Sequence, residues 1–171
     1  SDQGNYWNQT PENYYFDGTN DKITMGDLGT SADWSAAIWW KKISTSENTL
    51  FHLTSSGSLE AGMTVYSSAS HPYYVYKSSS FTHTGSQQPY SVGEWYFTVL
   101  THTSSSNTMK QYMDGILIDT DTDLDDNAGH ESFSEVVVGH GDYGYWDGQI
   151  AQFALWTDNL SAAEVLAMWE L

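Results

Sequence analysis

Residues 135–171 read EVVVGHGDYGYWDGQIAQFALWTDNLSAAEVLAMWEL, and this stretch decides the fold class. Glu135 to Gly139 is a β-branched run, which predicts a strand with at least one buried face. Gly139, Gly141, Gly144 and Gly148 then interrupt the chain, so a loop is expected between them. From Gln149 to Trp156 apolar groups fall on both alternating sets. Ile150, Gln152, Ala154 and Trp156 form one set; Ala151, Phe153 and Leu155 form the other. A strand apolar on both faces belongs inside a layered protein. A short helix follows. Ser161 and Glu164 make an S-x-x-E capping box, and Leu160 and Val165 can close a hydrophobic staple across it. Val165, Leu166 and Trp169 share one face at helical spacing. So short a helix is not stable alone in water and must dock.

Working outward, the rest of the chain is strand and turn. Tyr14 to Asp17 and Lys22 to Met25 flank the turn Gly18-Thr19-Asn20. Trp34 to Ile43 is the longest apolar strand, with Trp34, Ala36, Ile38 and Trp40 on one face and Ala37, Trp39 and Lys41 on the other. Strands are expected at 49–54, 62–67, 73–77, 81–83, 95–102, 108–113 and 116–119. The last two form a hairpin on Asp114-Gly115, the strongest short hairpin signal in the chain. About a dozen short strands and one terminal helix predict an all-β protein of two packed antiparallel sheets. Its 171 residues suit one domain spanning 1–171, with 1–13 as a polar N-terminal arm.

Four segments resemble, in order, those of laminin-G-like, concanavalin A-like jelly-roll domains, pentraxin-like members included. Tyr15-Phe16-Asp17-Gly18-Thr19-Asn20-Asp21 resembles an opening F-D-G-x-x-D. Trp34 to Lys41 resembles F-T-I-S-A-W-V-K. Trp95 to Thr101 with Gln111-Tyr112-Met113-Asp114-Gly115 resembles a strand pair ending in Y-V-D-G. Val138-Gly139, Gly148 to Phe153 and Leu160 to Val165 resemble the closing strands and helix. The resemblance implies a concanavalin A-like jelly-roll sandwich. It says little about function, because one fold hosts many.

Charge and composition narrow the function. Five lysines, no arginine and 22 acidic residues give a formal charge of −17. Nucleic acid is excluded as a partner, since phosphate binding needs clustered cations. Anionic glycans and anionic membranes are disfavoured for the same reason. Such acidity suits a soluble protein in an extracellular, secreted or virion-surface setting, or one that binds divalent cations; solubility alone also explains it. The chain has no cysteine, no apolar run long enough to span a membrane, and no signal-peptide pattern at Ser1.

No catalytic set stands out. Retaining glycan hydrolysis needs two carboxylates flanking one bond, and no E-hydrophobic-D-x-x-E strand is present. The resemblance implies that lyase relatives of this fold need arginine, and sialidase chemistry normally requires an arginine cluster, but the chain has no arginine. The six histidines, 52, 71, 83, 102, 130 and 140, show no metal-ligand spacing. The expectation is a non-enzyme.

Two places suggest a hard cation. Asp119, Asp121, Asp123, Asp125 and Asn127 alternate as oxygen ligands do at the start of an EF-hand loop, but Leu124 and His130 stand where Gly and Glu are needed. A solvated hairpin exit explains them better. The resemblance implies a structural calcium between the opening turn and the last long strand. Asp17, Asn20, Asp21 and Asp147 are its candidate ligands, although Ala151-Gln152 replaces the family's acidic pair.

Eight Trp and twelve Tyr exceed what one core of this size needs. Aromatic rings that stack on flat ligand faces, with polar groups beside them, characterise binding pockets. Tyr143, Tyr145 and Trp146, flanked by Asp142 and Asp147, are the first candidates; Tyr74 and Tyr76 are the second. The same rings suit packing against another subunit. The sequence therefore predicts a non-catalytic recognition module for a neutral glycan or a protein partner. Its rivals are an assembly domain making homo-oligomer contacts in a virion or appendage, and an enzyme of unfamiliar type.

Overall fold

The computed structural model describes residues 13–26, 33–55, 58–65, 72–77, 82–84, 88–122 and 133–171, with side chains at 55, 58–60, 72–77 and 82–84 excepted. The expected N-terminal arm, up to residue 12, lies outside the described residues. So do Asp123 to Asn127 of the alternating acidic stretch.

In chain order the strands are β1 (Tyr14–Asp17), β2 (Ile23–Met25), β3 (Trp34–Lys42), β4 (Asn48–Ser55), β5 (Ser58–Val65), β6 (Pro72–Lys77) and β7 (Thr82–Thr84). They continue with β8 (Trp95–Thr103), β9 (Thr108–Met113), β10 (Ile116–Asp121), β11 (Glu135–Val138), β12 (His140–Gly141), β13 (Gly144–Tyr145) and β14 (Asp147–Trp156), before α1 (Ala162–Trp169). Two six-stranded antiparallel sheets form the jelly-roll sandwich. The first runs β1-β14-β3-β8-β9-β10 and the second β2-β11-β4-β5-β6-β7. Asp114 (φ 51°) and Gly115 (φ 77°) both adopt positive φ, as a type I′ hairpin turn demands.

The alternation in β3 is the one expected. Trp34, Ala36, Ile38 and Trp40 enter the space between the sheets and meet Phe51, Leu53, Ala61 and Met63. Each of the larger apolar side chains among them is worth about 2 kcal/mol when fully buried. The indole N–H of Trp40 donates to Thr98 Oγ1 at 2.8 Å, so the ring is buried without an orphaned donor.

The opposite face of β3 and β8 is also covered. Ala37, Phe97, Val99 and Tyr112 pack under α1 through Val165, Met168 and Trp169. Leu160 joins the same cluster, as the staple requires. Leu166 is largely exposed rather than part of this docking face. The capping box forms: Glu164 N–H donates to Ser161 Oγ at 3.3 Å, and Ser161 N–H donates to Glu164 Oε2 at 2.8 Å. Ser161→Ala is expected to cost about 1 kcal/mol, a fall of roughly 2–4 °C in the thermal midpoint. An unchanged midpoint would show that the cap carries no weight.

Two sequence expectations are corrected. A bulge lies between Ile150 and Gln152 in the β14–β3 ladder. Ile150 faces the core, but beyond the bulge Phe153 and Leu155 do so, while Trp156 joins the outer cluster. The strict alternation read from the sequence therefore fails at Ala151, where the extra residue switches the faces. The stretch expected as a loop also contains a ladder of its own, with His140 paired to Tyr145 and Gly141 to Gly144.

Candidate functional site

The glycine-rich stretch does not carry three exposed rings. Trp146 is fully buried, which corrects the expectation that it forms a contact surface. Its ring meets Trp40 edge to face at 5.8 Å. Its backbone is pinned from both sides: Trp146 N–H donates to Gly139 O at 2.8 Å, and Gly18 N–H donates to Trp146 O at 3.0 Å. Lys42 is buried beneath it, with Nζ 4.6 Å from the ring centroid and hydrogen-bonded to Asn48 Oδ1. Burial pushes the Lys42 ammonium down to about 8, against the opposing pull of Asp147 and Glu47. The indole thus closes one end of the core and covers a buried cation.

The other two rings of the stretch reach the surface. Tyr143 is 38% exposed at the tip of the β12–β13 turn. Tyr145 is half-buried and lies against His140, ring centroids 4.1 Å apart. His140 in turn meets His52 of β4 edge to face at 6.2 Å. The turn is tied to β4 by Asn48 Nδ2 donating to Tyr145 O at 2.6 Å and by Tyr143 N–H donating to Thr49 Oγ1 at 3.3 Å. The result is a rigidly based patch of two phenols and two imidazoles, rimmed by Asp142. Tyr74 and Tyr76 pair with Met63 and Ala61 in the β5–β6 ladder; their side chains lie outside the described residues.

Both imidazoles hold their protons less readily than a free histidine. Burial is the main cause for each; His140 and Lys22 add to it at His52, and Asp142 and Glu135 oppose it. At His140, Lys22 adds and Asp142 opposes. A lowered pKa means that the unfolded chain binds protons first. Stability is therefore full above about 6.5 and is lost as pH falls through the folded-state values. Thermal melts from neutrality into mild acid are expected to show a falling midpoint. His52→Gln should flatten that fall; an identical slope in the variant would remove His52 as its source.

Three of the proposed calcium ligands, Asp17, Asn20 and Asp21, lie at the β1–β2 turn, and the fourth, Asp147, opens β14 beside it. Asp17 and Asp147 are paired across β1 and β14. Asp21 Oδ2 accepts from Asp17 N–H at 3.0 Å, and Asp17 Oδ1 accepts from Thr19 N–H at 2.8 Å. Each of these carboxylates already spends one oxygen on the turn, and Asn20 is exposed. Among the described residues, no group of three or more His, Cys, Asp or Glu is arranged to hold a metal ion.

Sequence reasoning missed one concave surface. On the outer face of the first sheet, beside α1, lies a slot of ≈ 320 Å³ lined by Trp39, Trp156, Gln152 and Met168 over Ala37 and Ala154. The available signal was Trp39, which alternates with the core residue Trp40 on a face too broad for an eight-residue helix to cover.

Residues 17–166 match the family model described as the concanavalin A-like lectin/glucanase superfamily, of laminin G type. The chain belongs to this family. Solved structures agree on the fold. A heptameric, SAP-like pentraxin from Limulus polyphemus aligns with a TM-score of 0.72 at 17% identity, over 92% of this chain and 81% of its own. The binding domain of botulinum neurotoxin serotype D aligns with a TM-score of 0.72 at 17% identity, over 92% of this chain and 42% of its own. That of neurotoxin DC, solved in complex with rat synaptotagmin II, aligns with a TM-score of 0.70 at 14% identity, over 94% and 43%. The family member thus spans less than half of the toxin binding domains. No curated protein matches the sequence. No helix among the described residues is long and apolar enough to cross a membrane.

Proposed function

We propose that this lectin-like domain is a non-catalytic recognition module for a neutral glycan or a protein partner, working at an extracellular or virion surface. The observation that carries the reading is the patch of Tyr143, Tyr145, His140 and His52. It is accessible, it stands on a base hydrogen-bonded to β4, and it sets aromatic faces beside imidazole and carboxylate groups. Rings read a flat apolar face while the polar groups take hydroxyls or peptide amides. The pentraxin and toxin binding domains named above support a binding role for this architecture, without supplying a ligand.

Calcium belongs to the proposal as an ion that the β1–β2 turn would take up only with a rearrangement of Asp17, Asn20, Asp21 and Asp147, the carboxylates among them not being gathered for it in the structure. A glycan array probed with and without calcium tests both parts. Wild-type binding that Tyr143→Ala and Tyr145→Ala each reduce about tenfold supports the patch. Binding untouched by both variants would move the contact elsewhere. A thermal midpoint that does not rise with added calcium would remove the cation.

A further inference from the structure

We infer that the slot beside α1 is a second binding site, for one ring of a neutral glycan chain, on the sheet opposite the Tyr143 patch. This goes beyond the reading above and rests on other residues. The slot exists because Ala154 pairs directly with Ala37 at its floor, while the rows on either side carry Trp39 and Trp156. Two small residues between two indoles leave space that tight packing would otherwise fill. Trp39 is fixed in place by stacking on Trp169 at 5.2 Å and by its contact with Phe97 at 5.1 Å. The wall is therefore preorganised, which lowers the cost of binding.

The lining selects the ligand. Indoles accept the C–H face of a sugar ring, and the Gln152 carboxamide can donate to one hydroxyl and accept from another. No charged side chain lines the slot. An anion would meet the repulsion of a chain carrying −17. The volume of ≈ 320 Å³ suits a small ring system rather than the face of a folded protein. The same face continues away from the slot. Gln149, Lys41 and Trp95 stand side by side in the next row, in register across β14, β3 and β8. Gln149 Nε2 is held by Asn13 Oδ1 at 2.9 Å. Neighbouring strands lie about 4.8 Å apart, so this row presents an amide, an ammonium and an indole along the path a longer glycan would take.

The test uses the whole chain and linear neutral hexaoses of glucose, mannose and xylose. Binding is followed by calorimetry and by the indole N–H signals in ¹H–¹⁵N spectra, assigned through Trp39→Phe and Trp156→Phe. At least one hexaose should shift the Trp39 and Trp156 signals. Trp156→Ala should then weaken that binding about tenfold, and Gln152→Ala about fivefold, while Val92→Ala, at an exposed position that does not line the slot, leaves it unchanged. If Trp156→Ala fails to fold, Gln152→Ala on an exposed strand position decides. The inference is overturned if no hexaose moves the two indole signals, or if binding survives both variants. It is equally overturned if binding is lost only in Tyr143→Ala, which would leave the opposite patch standing alone. Hexanol shifting the same signals when no sugar does would assign the slot to apolar ligands. Shifts that appear with protein concentration alone would assign it to a second copy of the chain.

Discussion

Gly148→Ala is expected to destabilise the domain by at least about 3 kcal/mol, a fall of roughly 6–12 °C in the thermal midpoint. Gly148 opens the long ladder between β14 and β3, opposite Lys42. A methyl group there would run into the carbonyl oxygen of Lys41 and approach Lys42 Cα to 3.1 Å. Both obstacles are backbone, so no side-chain rotation relieves them. The strands would have to part where Ile43 N–H donates to Asp147 O at 3.2 Å. The indole nitrogen of Trp146 would also lie 3.0 Å from the new methyl, so relaxation toward the core is blocked. Denaturant unfolding of the variant checks this. A loss below about 1 kcal/mol would mean that the two strands are not as close as described.

Trp146→Ala should cost as much or more. Truncating a fully buried Trp costs about 3–5 kcal/mol through lost burial and the cavity left behind. Here a further cost arises, because Lys42 would lose the ring that covers its ammonium. A cation that far from water is expensive once its partners go. Trp146→Phe keeps a ring over Lys42, and the buried indole N–H of Trp146 has no hydrogen-bond acceptor to lose. The Phe variant should therefore retain most of the stability. Midpoints for wild type, Phe and Ala measured side by side should fall in that order. A stable Trp146→Ala protein with weakened ligand binding would instead return Trp146 to the surface.

What the sequence disclosed, it disclosed through local chemistry. Asp114-Gly115 permits the backbone that a tight hairpin needs, and the hairpin forms. Ser161 and Glu164 can cap a helix between them, and they do. The alternation of Trp34 to Trp40 is visible because Lys41 and Lys42 end it and both faces carry bulky groups. The failures share a different cause. Glycines around Tyr143 to Trp146 suggested a loop that protrudes. Gly148 instead lets β14 press against β3, which folds the adjacent indole inward. A glycine marks permission for either outcome, and the choice depends on contacts distant in sequence. The slot beside α1 was hidden likewise, because it arises from an Ala–Ala pair between strands more than a hundred residues apart.

The bulge at Ala151 has a consequence for how this surface can change. One residue more than its neighbour strand makes β14 a segment read in two frames. Before the bulge, Ile150 serves the interior; after it, Phe153 and Leu155 do, and Gln152, Ala154 and Trp156 are released to the outside. Forcing Ala151 into the regular ladder would slip the strand by one residue, sending Gln152 and Trp156 into the interior and turning Phe153 and Leu155 to solvent, whereas deleting it would leave each of them on its present face, because Ile150 and Gln152 already stand opposite the neighbours Trp40 and Trp39. With the extra residue in place, three alternate positions can be varied without altering an interior contact of the same strand. A library at 152, 154 and 156 would therefore redraw the slot's specificity while the sandwich beneath it stays as it is.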